Sequence, residues 1–171
     1  MRIPAAALAA GAITALTSST LIGQDQRGSP PARIVGEVDI DRVTSAPLRV
    51  LRGVNLHATP SEVFEVAVSA QTIVEHIDMI DSVRVAGTGD RGTVRTFELA
   101  DGTPVSERVV ANHTPSAGTG GSFAFSLTPD NPFGLSDHLA VLYVRPADGG
   151  GSDLQIHHYF GHSDIAAVMP A

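Results

Sequence analysis

The sequence contains no cysteine and no lysine, and these two gaps exclude more chemistry than any single residue present can suggest. Without cysteine there is no disulfide, no thiolate nucleophile, no iron–sulfur cluster and no cysteine-ligated zinc. All 11 basic residues are arginine, so Schiff-base chemistry and a phosphate-binding P-loop lysine are excluded as well. Positive charge is scarce overall: against 18 acidic residues the net charge is -7, the opposite of the basic stripe that nucleic acid requires. An acidic surface of this kind chiefly serves solubility.

What is present is a chain of 171 residues, 43% hydrophobic, enough to build the core of one domain behind a leader. Ile3 to Gly23 is uncharged, alanine-rich and preceded by Arg2. That is the layout of a secretory signal, and it predicts a secreted or extracytoplasmic protein. No small-x-small pair stands just before Gln24, so an uncleaved membrane anchor and a cytoplasmic protein with an N-terminal extension remain the alternatives. Gln24 to Arg33 (QDQRGSPPAR) reads as a linker. The expected organisation is therefore a signal or anchor over 1–23, a linker and extension over 24–48, and one folded domain over 49–171.

Within that domain the pattern is α+β. Arg49 to His57 is a strand candidate, and Thr59-Pro60-Ser61-Glu62 is a helix start, with Thr as cap, Pro at the first helical position and Glu three residues after the cap. Val63, Phe64, Val66 and Val68 supply that helix's apolar side, and Ile73, Val74, Ile77 and Ile80 predict a second short helix. Strands are expected over Ser82–Ala86, Ser122–Leu127, Asp137–Arg145 and Asp153–Phe160, separated by turns rich in glycine, proline and aspartate. Consecutive strands joined by turns make an antiparallel meander.

The hairpin Gly92 to Ala111 (GTVRTFELADGTPVSERVVA) carries the strongest functional signal. Side chains alternate along a strand, so Arg95 shares a face with Phe97 and Leu99, while Thr96 and Glu98 point the other way. On the return strand Val105, Glu107 and Val109 share a face, opposite Ser106 and Arg108. Each apolar face thus holds one charge. Such residues form a structural ion pair, sit at the rim with their heads in water, or line a polar pocket.

The residues Thr59-Pro60 with Val63-Phe64, then VRVAGTGDRGTVRTFELADGTPVSERV, then PFGLSDHLAVLYVRP, resemble the START/Bet v 1-like (SRPBCC) superfamily, especially its bacterial polyketide cyclase/dehydrase-like members. The ordered set Gly92, Arg95, Asp101, Gly102, Glu107 and Arg108 is the most specific part, and the likeness runs from about Arg49 to about Phe160. It implies a helix-grip fold: a curved antiparallel sheet with two short helices after its first strand, wrapped round a long C-terminal helix over an apolar cavity. Only Gly161 to Ala171 follow the last strand here, and Pro170 limits any helix begun at Ser163 or Asp164, so a shortened C-terminal helix is expected. A partner subunit, a membrane or the N-terminal segment would then cover the face left bare.

The resemblance places His138, Ala140, Leu142 and Val144 inward, and alternation gives Leu154, Ile156, His158 and Phe160 one face, with a bulge able to exchange His158 for His157. The expected ligand-binding surface is Arg95, Phe97, Leu99, Val105, Glu107, Val109, His138, Ala140, Leu142, Ile156 and His158. A few convergent polar groups in an apolar pocket is how small-molecule sites look. A catalytic alternative uses the same groups: Arg95 would stabilise an enolate, His138 would act as base, and Glu107 would complete the set.

Other motifs carry less. Gly87, Gly89 and Gly92 fit G-x-G-x-x-G, but a strand follows where a dinucleotide site needs a helix. His157, His158, His162 and Asp164 could suggest a metal, yet adjacent histidines on a strand point oppositely. Ser136 lacks a nucleophile elbow, and Asn112-His113-Thr114 is a glycosylation sequon only in a eukaryotic secretory pathway. The expectation is a binder or carrier of a hydrophobic small molecule such as a lipid, isoprenoid or polyketide, with no cofactor, no metal and no nucleic acid. The alternatives are a cyclase or dehydratase, and more weakly an interaction module using a bare sheet. Membrane contact through the N-terminal segment and self-association are both compatible with the sequence.

Overall fold

Strand alternation organises most of the chain from residue 48 to residue 161. The computed structural model describes residues 34–161, apart from 37, 47 and 117. The signal-like segment, the linker 24–33 and the stretch from His162 onward, with its expected short helix, lie outside the described residues. In chain order the elements begin with β1 (Ile34–Val35), β2 (Val38–Asp39), α1 (Ile40–Val43) and β3 (Leu48–Leu56). Next come α2 (Pro60–Val68), α3 (Ala70–His76), β4 (Ile80–Ala86), β5 (Val94–Leu99), β6 (Pro104–His113), β7 (Gly121–Leu127), β8 (Ser136–Pro146) and β9 (Ser152–Gly161). β3 to β9 form one seven-stranded antiparallel sheet in the order β3-β9-β8-β7-β6-β5-β4, so the first strand closes onto the last.

The helices start as their caps dictate. Thr59 and Glu62 form a reciprocal capping box, the Thr59 amide donating to Glu62 Oε2 at 2.8 Å, with Pro60 at the first helical position. α2 buries Val63, Phe64 and Ala67, whereas Val66, expected on the apolar side, is exposed. The spacing 63, 64, 67 is the i, i+1, i+4 set that shares one helix face, and it turns 66 outward. Ser69 then caps α3, accepting from the Thr72 amide at 3.2 Å. α3 ends at His76, so Ile80 opens β4 opposite Leu99 instead of extending a helix. Among the described residues no helix is long and apolar enough to cross a membrane.

The sheet is covered on both faces along β7, β8 and β9, while β4 at its edge is largely exposed. On one face α2 packs with Val109, Phe123, Phe125, Ala140, Leu142, Val144, Leu154 and Ile156. On the other, Val38, Ile40 and Ala46 pack against Ala124, Leu139, Val141 and Tyr159, making residues 38–46 a strap across the outer face. A strand buried on both sides reads as a continuous apolar run, which explains why β8 is buried without interruption from His138 to Leu142. A bulge in the β8–β9 ladder between Ser136 and Leu139 fastens the strap: Asp137 has φ 49°, and its carbonyl accepts from Thr44 Oγ1 at 2.7 Å. An aspartate tolerates that left-handed backbone better than most residues. Gly151 (φ 83°) is required at the β8–β9 turn, because a Cβ there would strike the Leu56 carbonyl oxygen.

Ile40 is fully buried in the strap. Ile40→Ala should cost about 2–5 kcal/mol of unfolding free energy in urea, as for other large-to-small core changes. A loss below about 1 kcal/mol would mean that the strap does not seal the outer face.

Candidate functional site

The β5–β6 register sets Arg95 directly opposite Glu107 and Phe97 opposite Val105. The two charges therefore meet on the helix side, with Arg95 5% and Glu107 3% exposed. Arg95 donates from Nε and Nη2 to Glu107 Oε1, and from Nη1 to the Val68 carbonyl oxygen at 2.8 Å. Its guanidinium carbon lies 4.7 Å from the Phe123 ring centre and 5.7 Å from those of Phe97 and Phe125, within cation–π range. Burial pushes the Glu107 carboxyl up from its ordinary value, and the adjacent Arg95 charge and hydrogen bond pull it back down. The charged residues of the hairpin are thus a buried ion pair tied to the end of α2.

A row of rings runs on from that pair. Phe123 and Phe125 are 6.1 Å apart, Phe125 and His138 6.0 Å, and His138 and His158 5.7 Å. β9 brings His158 opposite Ala140 and His157 opposite Val141, so His158 faces the helix side and His157 the outer face. His138 and His158 are each 5% exposed. Near the end of β7 the Leu127 amide donates to His138 Nδ1 at 3.2 Å, and Ser126 Oγ donates to the His138 carbonyl at 2.5 Å. With Nδ1 accepting, the neutral His138 ring carries its proton on Nε2. His158 Nε2 is buried and has no hydrogen-bond partner.

Burial holds both rings neutral. It pushes His138 from 6.5 down to about 4, and His158 to about 3, the latter helped by the neighbouring His138 and His157. The remaining expected surface residues divide by position. Val109, Ala140, Leu142 and Ile156 join the apolar cluster under α2. Phe97 and Val105 are buried on the hairpin beside the ion pair, and Leu99 is half-buried at its far end. Phe123 and Phe125 belong to the site although only the alternation of SFAFSL pointed to them. Arg52 lies opposite Ile156 and so shares this face; its place between Val50 and Val54 is the same charge-on-an-apolar-face signal as Arg95. Among the described residues no group of three or more His, Asp or Glu side chains could hold a metal ion; His162 and Asp164 lie outside them.

No model of a known protein family and no curated protein matches the sequence. Solved structures do match. A protein from Thermobifida fusca is 23% identical with a TM-score of 0.54, the match covering 68% of this chain and 76% of that one. Ara h 8.0201 is 20% identical with a TM-score of 0.51 over 67% of this chain and 78% of its own. A point mutant of norcoclaurine synthase from Thalictrum, solved with a transition-state analogue, is 11% identical with a TM-score of 0.52 over 69% and 78%. At these identities the likeness is one of fold.

Two outcomes follow from the buried groups. Arg95→Met leaves a carboxylate buried without its cation and should cost about 3–5 kcal/mol, as should Glu107→Leu, while the double variant should cost less than either single change. Additive losses in urea unfolding would show that the two side chains do not depend on each other. The second outcome concerns pH. The unfolded chain takes up histidine protons near 6.5, before the folded chain does, so this contribution to stability is complete above 6.5 and is lost as pH falls from there toward 4. Glu107, shifted upward, acts in the opposite sense above its ordinary 4.5. Between about pH 7.5 and about 4.5 the melting temperature of His158→Phe should therefore fall less steeply than that of the native chain; superimposable profiles would refute the assignment.

Proposed function

We propose that this chain, whose fold is that of the START/Bet v 1-like superfamily, binds a hydrophobic small molecule of lipid, isoprenoid or polyketide type on the helix side of its sheet. Phe97, Leu99, Val105, Val109, Ala140, Leu142 and Ile156 would supply apolar contact, and Arg95, Glu107, His138 and His158 a polar floor. The observation that carries this reading is His158 Nε2: a buried polar atom without a partner, on a ring that stands beside His138. Buried polar atoms are nearly always satisfied, so an orphan among aromatic rings marks a place where something else completes the bond. The floor residues are buried, none more than 5% exposed, which disfavours a bare interaction surface.

Norcoclaurine synthase shows that this fold admits turnover in another protein. In this chain the geometry favours binding. A general base needs a free lone pair, and the acceptor nitrogen of His138 is already occupied by the Leu127 amide. Arg95, the group that would stabilise an enolate, is engaged by Glu107 and Val68.

Titration with the neutral apolar dye N-phenyl-1-naphthylamine should give saturable fluorescence enhancement. At about a hundredfold excess over the dissociation constant the folded state should gain about 2.7 kcal/mol, read as a rise in melting temperature. Native mass spectrometry of the protein from its host should show an added ligand mass. A bare mass together with no dye response would end the binding reading.

A further inference from the structure

We propose that the ligand presents an uncharged oxygen, a hydroxyl or a ketone, to the His138–His158 pair, and that this pair selects such molecules over hydrophobic carboxylates. The inference rests on the binding reading above and adds the chemical class of what is bound.

A ligand carboxylate would seek a cation, and Arg95 and Arg52 both lie on this face. Arg95 has Nε and Nη2 on Glu107, Nη1 on the Val68 carbonyl, and three phenylalanine rings around the guanidinium. A ligand carboxylate would have to displace an intramolecular one, or place a second negative charge beside Glu107 in a site with almost no solvent. Either is costly, because a buried charge needs a counter-charge of its own.

The histidines offer something different. His138 is a neutral donor, since the Leu127 amide fills Nδ1 and leaves the proton on Nε2. His158 Nε2 is buried and unpartnered. The two ring centres are 5.7 Å apart at 52°, so the two imidazoles are neighbours on the helix side of the sheet. A hydroxyl there accepts from His138 and donates to His158. A ketone oxygen, with two lone pairs, accepts from both when His158 carries its proton on Nε2. With the rings uncharged, a carboxylate placed against this pair gains no ion pair from it to offset its desolvation.

The test uses three rigid probes of one shape: naphthalene, 2-naphthol and 2-naphthoate, titrated against the full chain at about neutral pH. Loss of one hydrogen bond between neutral groups corresponds to roughly two- to tenfold in affinity, so 2-naphthol should bind up to about tenfold more tightly than naphthalene. It should also bind at least about tenfold more tightly than 2-naphthoate. His158→Phe should erase the preference for 2-naphthol over naphthalene. Because that variant could misfold, the imidazole nitrogen resonances of the native protein serve as a second readout: 2-naphthol should move those of His138 and His158, and naphthalene should not.

Equal binding of 2-naphthol and naphthalene, or unmoved imidazole signals, would mean that the pair holds a structural water only, and would overturn the proposal while leaving the binding reading intact. Binding of 2-naphthoate as tight as that of 2-naphthol would overturn it too, whichever cation on this face, Arg95 or Arg52, receives the carboxylate. If neither neutral probe binds, the binding reading itself falls and the selectivity with it.

Discussion

A charge on the buried face of a strand can be kept only if the neighbouring strand brings its opposite to the same level, and the Arg95–Glu107 pair meets that condition through register alone. A one-residue slip of β6 against β5 would turn Glu107 away and leave the guanidinium buried without a counter-charge. The consequences reach beyond the hairpin. Arg95 also bonds the carbonyl of Val68, the last residue of α2, so the same side chain fixes where that helix ends over the sheet. Its position against the Phe123 and Phe125 rings extends the constraint to β7. A buried ion pair adds little net stability over a well-packed apolar pair, but breaking it is costly; its effect here is to specify one arrangement of α2, β5, β6 and β7.

The far end of the floor depends on a different constraint, the covering of the sheet's outer face. β8 and β9 can hold His138 and His158 inward only because Leu139, Val141 and Tyr159, the residues between them, are taken up by the strap of residues 38–46. The strap is fastened at the Ser136–Leu139 bulge, which directly precedes the point where the His138 imidazole, in place of a strand carbonyl, takes the Leu127 amide. Outer-face packing and inner-face chemistry thus meet within three residues of one strand.

Much of this was legible in the sequence and the rest was hidden for physical reasons. Alternation alone brought Arg95 and Glu107 to one surface, and the Thr59-Pro60-Ser61-Glu62 pattern located the start of α2 because capping is local chemistry. The fate of Ile80 was not legible: its spacing from Ile73 and Ile77 continues a helical pattern, while the pairing with Leu99 that makes it strand is a tertiary fact. The outer strap was opaque for a similar reason, since nine residues with no periodicity do not announce what they cover. Arg52 alternates with Val50 and Val54 as Arg95 does with Phe97, but the residue across from it in the ladder is Ile156, not an acid that would mark the pair in the sequence. Nothing in the chain order could reveal the tautomer of His138, which is set by an amide in another strand.

These constraints also decide what chemistry remains open to the floor. Burial, helped at His158 by the neighbouring His138 and His157, leaves the two histidines neutral, removing charge as a means of recognition at that end. The guanidinium at the other end is neutralised by Glu107 and held by a helix carbonyl, so its positive charge serves the fold before any ligand. The lone pair of His138 is engaged by the backbone of β7. Subtracting each group that the fold already uses leaves a directed N–H on His138 and an unpartnered nitrogen on His158, set among aromatic and aliphatic side chains. On the binding reading proposed above, it is this pair, and not the guanidinium held by Glu107 and Val68, that is left to orient a ligand oxygen.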